Sequence, residues 1–158
     1  EILAKLPKRY SPEKTSGKSG FIHPTSMKGE LETAELKFII RDFETTSLVV
    51  HEERLKAIVD KVISKYPNST YTFEVQEQYR NMKEVLRQHP QVSQYAMQAI
   101  RKCGMKVRKK PIRGGTDGSR LSQMGLPCPN IFTGIHGVQS KHEWISLQDM
   151  TRSISVLI

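Results

Sequence analysis

Leu55, Ile58, Val59, Val62 and Ile63 recur at i, i+3, i+4, i+7 and i+8, the spacing that lines one face of an α-helix with apolar side chains. Such a stripe is stable only when something covers it, so the fold must offer a second apolar surface. His51, Glu52, Glu53 and Arg54 precede the stripe and read as its acidic start, while Pro67 closes it after Tyr66. Upstream, Phe21 to Lys28 and Thr33 to Phe43 read as strands. In the second, Leu36, Phe38 and Ile40 alternate with Glu35, Lys37 and a less regular Ile39. Lys28-Gly29-Glu30 is expected to form the hairpin turn between them, with Gly29 supplying a positive φ. Downstream, Tyr71, Phe73 and Val75 alternate with Thr72, Glu74 and Gln76, which predicts a third strand. Residues 1–6 read as a short helical piece, followed by a polar connection holding Pro7, Pro12 and Gly17. This order predicts an α+β layer pair, a small antiparallel sheet with helices on one face.

The pattern changes past residue 80. Val92, Tyr95, Ala96, Ala99 and Ile100 mark a second amphipathic helix, entered after His89-Pro90 and closed by Gly104 as a C-terminal glycine cap. An extended basic stretch, Met105 to Ile112, follows. Then come Gly114-Gly115, a short helix from Ser119 to Met124, a strand from Pro129 to Phe132, and a last helix from Ser146 carrying Leu147, Met150, Ile154 and Leu157. Helix, strand, short helix, strand, helix predicts part of an α/β sheet. The boundary falls near residues 79–84, giving regions 1–79 and 80–158, with no internal repeat or low-complexity tract.

Charge narrows the function classes. Twenty-five Lys and Arg against 16 Asp and Glu leave a net charge of +9, an excess that points first to polyanions. Most of it is local: Arg101, Lys102, Lys106, Arg108, Lys109, Lys110, Arg113 and Arg120 are opposed within that stretch by Asp117 alone. Either this run meets phosphates, as a nucleic-acid or polyanion-binding module would, or it is a solvated basic strand edge. No aromatic lies between Ala96 and Ile131, so the stacking platform of a nucleic-acid surface is missing and nucleic acid is not the favoured partner. No run approaches eighteen apolar residues, so neither a spanning helix nor a membrane partner is expected. The opening Glu1-Ile2-Leu3-Ala4-Lys5 does not read as a secretory leader. Cys103 and Cys128 have no second Cys near either. They are expected to be buried free thiols in a reducing, cytoplasmic setting.

Two segments are candidates for chemistry. In Pro111-Ile112-Arg113-Gly114-Gly115-Thr116-Asp117-Gly118-Ser119-Arg120, adjacent glycines let the backbone turn sharply near a ligand. The arginines offer forked donors to a carboxylate or phosphate. It is neither a Walker A loop nor G-x-G-x-x-G, and a plain strand-to-helix turn remains open beside the site reading. In Thr133-Gly134-Ile135-His136-Gly137-Val138-Gln139-Ser140-Lys141-His142-Glu143, two imidazoles and a carboxylate are the donor types zinc prefers. On spacing alone, a surface loop with two solvated histidines is the favoured reading, with the metal site open beside it. No Ser/His/Asp or Cys/His arrangement can be assembled.

Longer strings carry a resemblance. Lys110 to Gly118, Met124-Gly125-Leu126-Pro127-Cys128-Pro129-Asn130-Ile131-Phe132-Thr133-Gly134, Gly20-Phe21-Ile22-His23-Pro24, Ile39-Ile40-Arg41-Asp42-Phe43-Glu44, Gln78-Tyr79-Arg80-Asn81-Met82 and Trp144 to Met150 resemble, in order, the C-terminal part of the peptidase T family, zinc-dependent tripeptide aminopeptidases. The resemblance implies a zinc catalytic domain interrupted by a smaller α+β lid. Region 1–79 corresponds to part of the lid and region 80–158 to the end of the catalytic domain. It implies that Arg113, with Gly114, Gly115, Thr116 and Asp117, holds a tripeptide's C-terminal carboxylate and that Asn81 contacts substrate. No catalytic residue falls in these 158 residues. The family's two zinc ions are held mainly by residues of the preceding half, so the chain alone is expected to be inactive and not to bind zinc fully. One departure is notable: the family's zinc-binding His position holds Gln139, with His136 and His142 three residues to either side, and Gly134 is followed by Ile135 rather than a second glycine. A neutral amide is a poor zinc ligand, so Gln139 is expected to impair that site. A homodimer formed through the lid is a further expectation, and a catalytically silent lid or interface piece is a further alternative.

Overall fold

The computed structural model describes residues 1–158, which divide into two compact units. The first comprises Glu1–Asn81 with Pro111–Gly114, the second Met82–Lys110 with Gly115–Ile158. By element content the chain is α+β: one two-stranded antiparallel sheet and helices.

The first unit holds α1 (Ile2–Lys5), two short 3-10 turns, β1 (Phe21–Gly29), β2 (Ala34–Arg41) and α2 (Thr45–Ile63). β1 and β2 pair from Phe21 opposite Arg41 to Gly29 opposite Ala34, with an irregularity between Pro24 and Ser26. Pro24 has no N–H to give the ladder, which explains why the bulge falls there. α2 packs on β2 and α1. It buries His51, Leu55, Val59 and Val62 on one face, joined in the core by Ile22 of β1. The stripe read from the sequence is therefore the core of this unit.

Three details differ from the sequence reading. Gly29 ends β1 without a left-handed φ, and the turn lies one step later, closed by Glu30 N–H donating to the Thr33 carbonyl at 2.8 Å. α2 begins at Thr45, well before His51. Thr45, Thr46 and Ser47 read as breakers, and Val49 and Val50 are half-exposed, so the pattern hid the first turns. The segment Tyr71 to Val75 is no strand. Tyr71 and Phe73 do alternate in burial with exposed Thr72 and Glu74, but no neighbouring edge completes a ladder. Alternation reports which side chains face inward, not whether the backbone finds a partner.

Instead, a side chain ties this segment down: the Tyr71 hydroxyl donates to the Asp60 carboxylate of α2. That hydrogen bond holds the phenol proton and raises the Tyr71 pKa above the ordinary tyrosine value. In an ultraviolet pH titration Tyr71 should ionise later than a free tyrosine, and Asp60→Asn should bring it back down. Identical titrations for the two proteins would exclude the tether.

The second unit contains α3 (Lys83–Gln88), α4 (Pro90–Lys102), α5 (Asp117–Gln123) and α6 (Leu147–Leu157). α3, absent from the sequence reading, stops before His89-Pro90, where the residue preceding proline disfavours helix. α4 ends as expected in a glycine cap: Gly104 has φ +72°, Gly104 N–H donates to the Arg101 carbonyl, and Met105 N–H reaches the Ile100 carbonyl. Ser146 caps α6 by accepting from Asp149 N–H at 3.0 Å and donating to the Asp149 carboxylate at 2.7 Å. α4 packs on α6, whose Val156 is buried. The predicted α/β sheet is not present. Neither Met105 to Ile112 nor Pro129 to Phe132 pairs in a ladder, and the unit's only bridge joins His136 and Trp144. Both cysteines are free, but neither is buried as expected: Cys103 is exposed and Cys128 half-buried. No helix is long and apolar enough to cross a membrane.

Candidate functional site

Arg113 is the most constrained of the candidate residues. It lies in the first unit, and its guanidinium is anchored at several points. Nη1 donates to the Thr15 carbonyl at 2.8 Å, and Nη2 donates to Thr15 Oγ1 at 2.5 Å and to the Ser19 carbonyl at 3.3 Å. The cation lies over the Phe21 ring, 4.9 Å from its centroid. Nε is buried and has no hydrogen-bond partner. The group is thus held rigidly with one N–H unsatisfied, and a buried donor in that state calls for an acceptor.

The loop that holds Arg113 is braced on its other side. Gly20 separates Ser19 from Phe21 and lies against a carboxylate–imidazole pair. A Cβ at Gly20 would come within 2.0 Å of Asp42 Oδ2 and 2.8 Å of His51 Nε2. Asp42 and His51 are nearly buried and meet at 3.2 Å. Arg54 Nη1 stands 3.0 Å from His51 Nδ1. A guanidinium can only donate, so Nδ1 accepts, the imidazole is neutral, and its Nε2–H donates to Asp42. Tyr10 packs edge-on against His51 and carries the Arg54 cation over its face. Asp42 Oδ1 also accepts from Glu44 N–H at 3.0 Å. Beside it, the Phe43 carbonyl accepts from Asn81 Nδ2 at 2.9 Å. Arg113 and Asn81 are therefore tied to one frame within the first unit. The sequence reading missed this frame, although His51 sits four residues before Leu55, on the apolar face of α2.

The glycine-rich turn spreads over both units: Gly114 belongs to the first and Gly115, Thr116 and Asp117 to the second. A Cβ at Gly114 would meet nothing within 4 Å. Close approach is instead required at Gly118, where a Cβ would lie 2.8 Å from the Cys128 carbonyl and 2.9 Å from Asn130 Oδ1. Thr116 caps α5, its Oγ1 accepting from Ser119 N–H at 3.3 Å and from Asn130 Nδ2 at 3.1 Å. Asp117 is exposed at the first turn of that helix.

The histidine loop is a small hairpin. His136 and Trp144 exchange two backbone hydrogen bonds, and their rings stack 4.4 Å apart. Gln139 takes φ +60°, and its N–H donates to Glu143 Oε2 at 2.6 Å. His142 N–H donates to Ser140 Oγ at 3.1 Å. These contacts turn the side chains to separate tasks, and nowhere in the chain do three or more His, Cys, Asp or Glu side chains gather as a metal site would need. The residues around Gln139 do not fit zinc as they stand: the Glu143 carboxylate is engaged by the backbone, and the Gln139 amide is neutral.

No family model matches the chain. Curated relatives do. Peptidase T of Escherichia fergusonii is 41% identical over 158 residues, covering 99% of this chain and 39% of that protein. Peptidase T of Escherichia coli is 40% identical over the same span and shares. The chain thus spans about two-fifths of the length of these relatives.

Proposed function

We propose that this chain, a relative of peptidase T along 99% of its own length, acts as the substrate-holding part of a tripeptide aminopeptidase. Residues 1–79 serve as part of a lid and 80–158 as part of a catalytic domain. Arg113 receives the peptide's C-terminal carboxylate and Asn81 touches the substrate. The observation that carries this reading is the Arg113 guanidinium, a forked cation held in place by Thr15 and Ser19 next to Gly114. A carboxylate is the group a guanidinium pairs with most strongly, and the bonds to Thr15 and Ser19 keep the cation from turning away. Fixing the far end of a peptide sets the distance to its first peptide bond, which is how an exopeptidase measures length. Zinc would polarise that bond and activate water in the peptidase T family. In this reading the metal is held mainly by the portion of the relatives that the chain does not span, and the chain alone hydrolyses no peptide.

The test is a titration of the 158-residue chain with trialanine and with trialanine amide, followed by calorimetry and by peptide hydrolysis. Trialanine should bind without being cleaved, the amide should bind more weakly, and Arg113→Ala should lower trialanine affinity about tenfold or more. Equal binding of acid and amide would overturn the carboxylate role, and cleavage would overturn the division of labour.

A further inference from the structure

Arg113 does not hold its own position. Its acceptors, Thr15 and Ser19, belong to the short loop before β1, and the ring beneath it, Phe21, opens that strand. The glycine inside that loop leaves no space between its Cα and the Asp42–His51 pair. Asp42 is kept in place by His51 and by Glu44 N–H, and His51 by Arg54 and Tyr10. Asn81 is bound to the residue that follows Asp42.

We infer that Asp42, His51 and Arg54 form a positioning set that fixes the Ser19–Phe21 loop, and through it the Arg113 guanidinium, with His51 as the central member. The set touches no substrate. It acts by removing the space into which Gly20 would relax, and the neutral imidazole is suited to this because it accepts from Arg54 and donates to Asp42 at once. Losing His51 leaves a gap beside Gly20 and frees Asp42 to rotate, so Ser19 and Phe21 loosen and Arg113 loses its fixed aim. That this aim serves a carboxylate rests on the function proposed above. The positioning itself does not.

The experiment uses the full chain labelled with nitrogen-15. The Arg113 Nε–H signal is assigned by its absence in Arg113→Lys, and its exchange with solvent is compared in wild type, His51→Ala, His51→Gln and Arg54→Leu. His51→Ala should speed Nε–H exchange about tenfold while the β1–β2 ladder amides keep their protection. It should also weaken trialanine binding about fivefold, the size of one loosened polar anchor. His51→Gln, whose amide still reaches Asp42, should recover most of both. Arg54→Leu keeps the imidazole in place and should give a smaller change in the same direction, deciding the matter if His51→Ala does not fold. Unchanged Nε–H exchange in folded His51→Ala or Arg54→Leu, or no recovery with His51→Gln, would overturn the positioning role. Trialanine and its amide binding alike to wild type would instead overturn the carboxylate reading, leaving the exchange comparison to decide the positioning set.

Discussion

Truncating Leu55 to alanine lowers the stability of the first unit by about 2–5 kcal/mol, the range for emptying a filled core site. Leu55 is only 3% exposed and sits at the centre of the α2 face with Val59 and Val62, facing a sheet of just two strands. A two-stranded hairpin is marginal alone, so the unit leans on this helix face more than a larger sheet would. Val50, on the same helix but 50% exposed, should tolerate alanine to within about 0.5 kcal/mol. The sole tryptophan, Trp144, lies in the other unit, so the measurement should follow hydrogen exchange at Val59 and Ile40 rather than tryptophan fluorescence. Equal losses for Leu55→Ala and Val50→Ala would mean the stripe is not the core.

That stripe was readable because helical spacing is a property of neighbours in sequence. The same holds for the glycine cap after α4, and for β1 and β2, whose pairing needs only a short turn. Ladders between distant segments are different. Tyr71 to Val75 has strand-like burial, yet its backbone pairs with neither edge of the sheet, and nothing in its own residues reports that. The candidate site shows the same division. Arg113 was legible as a forked donor beside glycines, but its acceptors, Thr15 and Ser19, are nearly a hundred residues away in sequence. His51 does not stand out in the sequence, because a histidine among Glu52, Glu53 and Arg54 reads as a charged helix start. Its place on the Leu55 face was available from spacing alone. The polar nature of that place, with Asp42 opposite, was not.

Asp42→Ala should cost about 2–3 kcal/mol, because it leaves the buried His51 Nε2–H without an acceptor and releases Glu44 N–H at the start of α2. Asp42→Asn should cost less. Its single oxygen can serve His51 or Glu44 N–H but not both, since the other end is now a donor facing a donor. The sharper result concerns Gly20. In wild type, Gly20→Ala forces a methyl to within 2.0 Å of Asp42 Oδ2. That oxygen cannot swing aside without breaking its bond to His51, so overpacking should cost about 1–3 kcal/mol. With Asp42 already alanine, the nearest obstacle is gone, and only His51 Nε2, 2.8 Å from the methyl position, still crowds it. The two substitutions should therefore be non-additive by more than about 1 kcal/mol, the double variant being more stable than the sum of the singles predicts. Denaturant unfolding read by exchange in the first unit measures this cycle. Additivity to within about 0.5 kcal/mol would show that Gly20 is not seated on the carboxylate, which would remove the link by which His51 reaches Arg113.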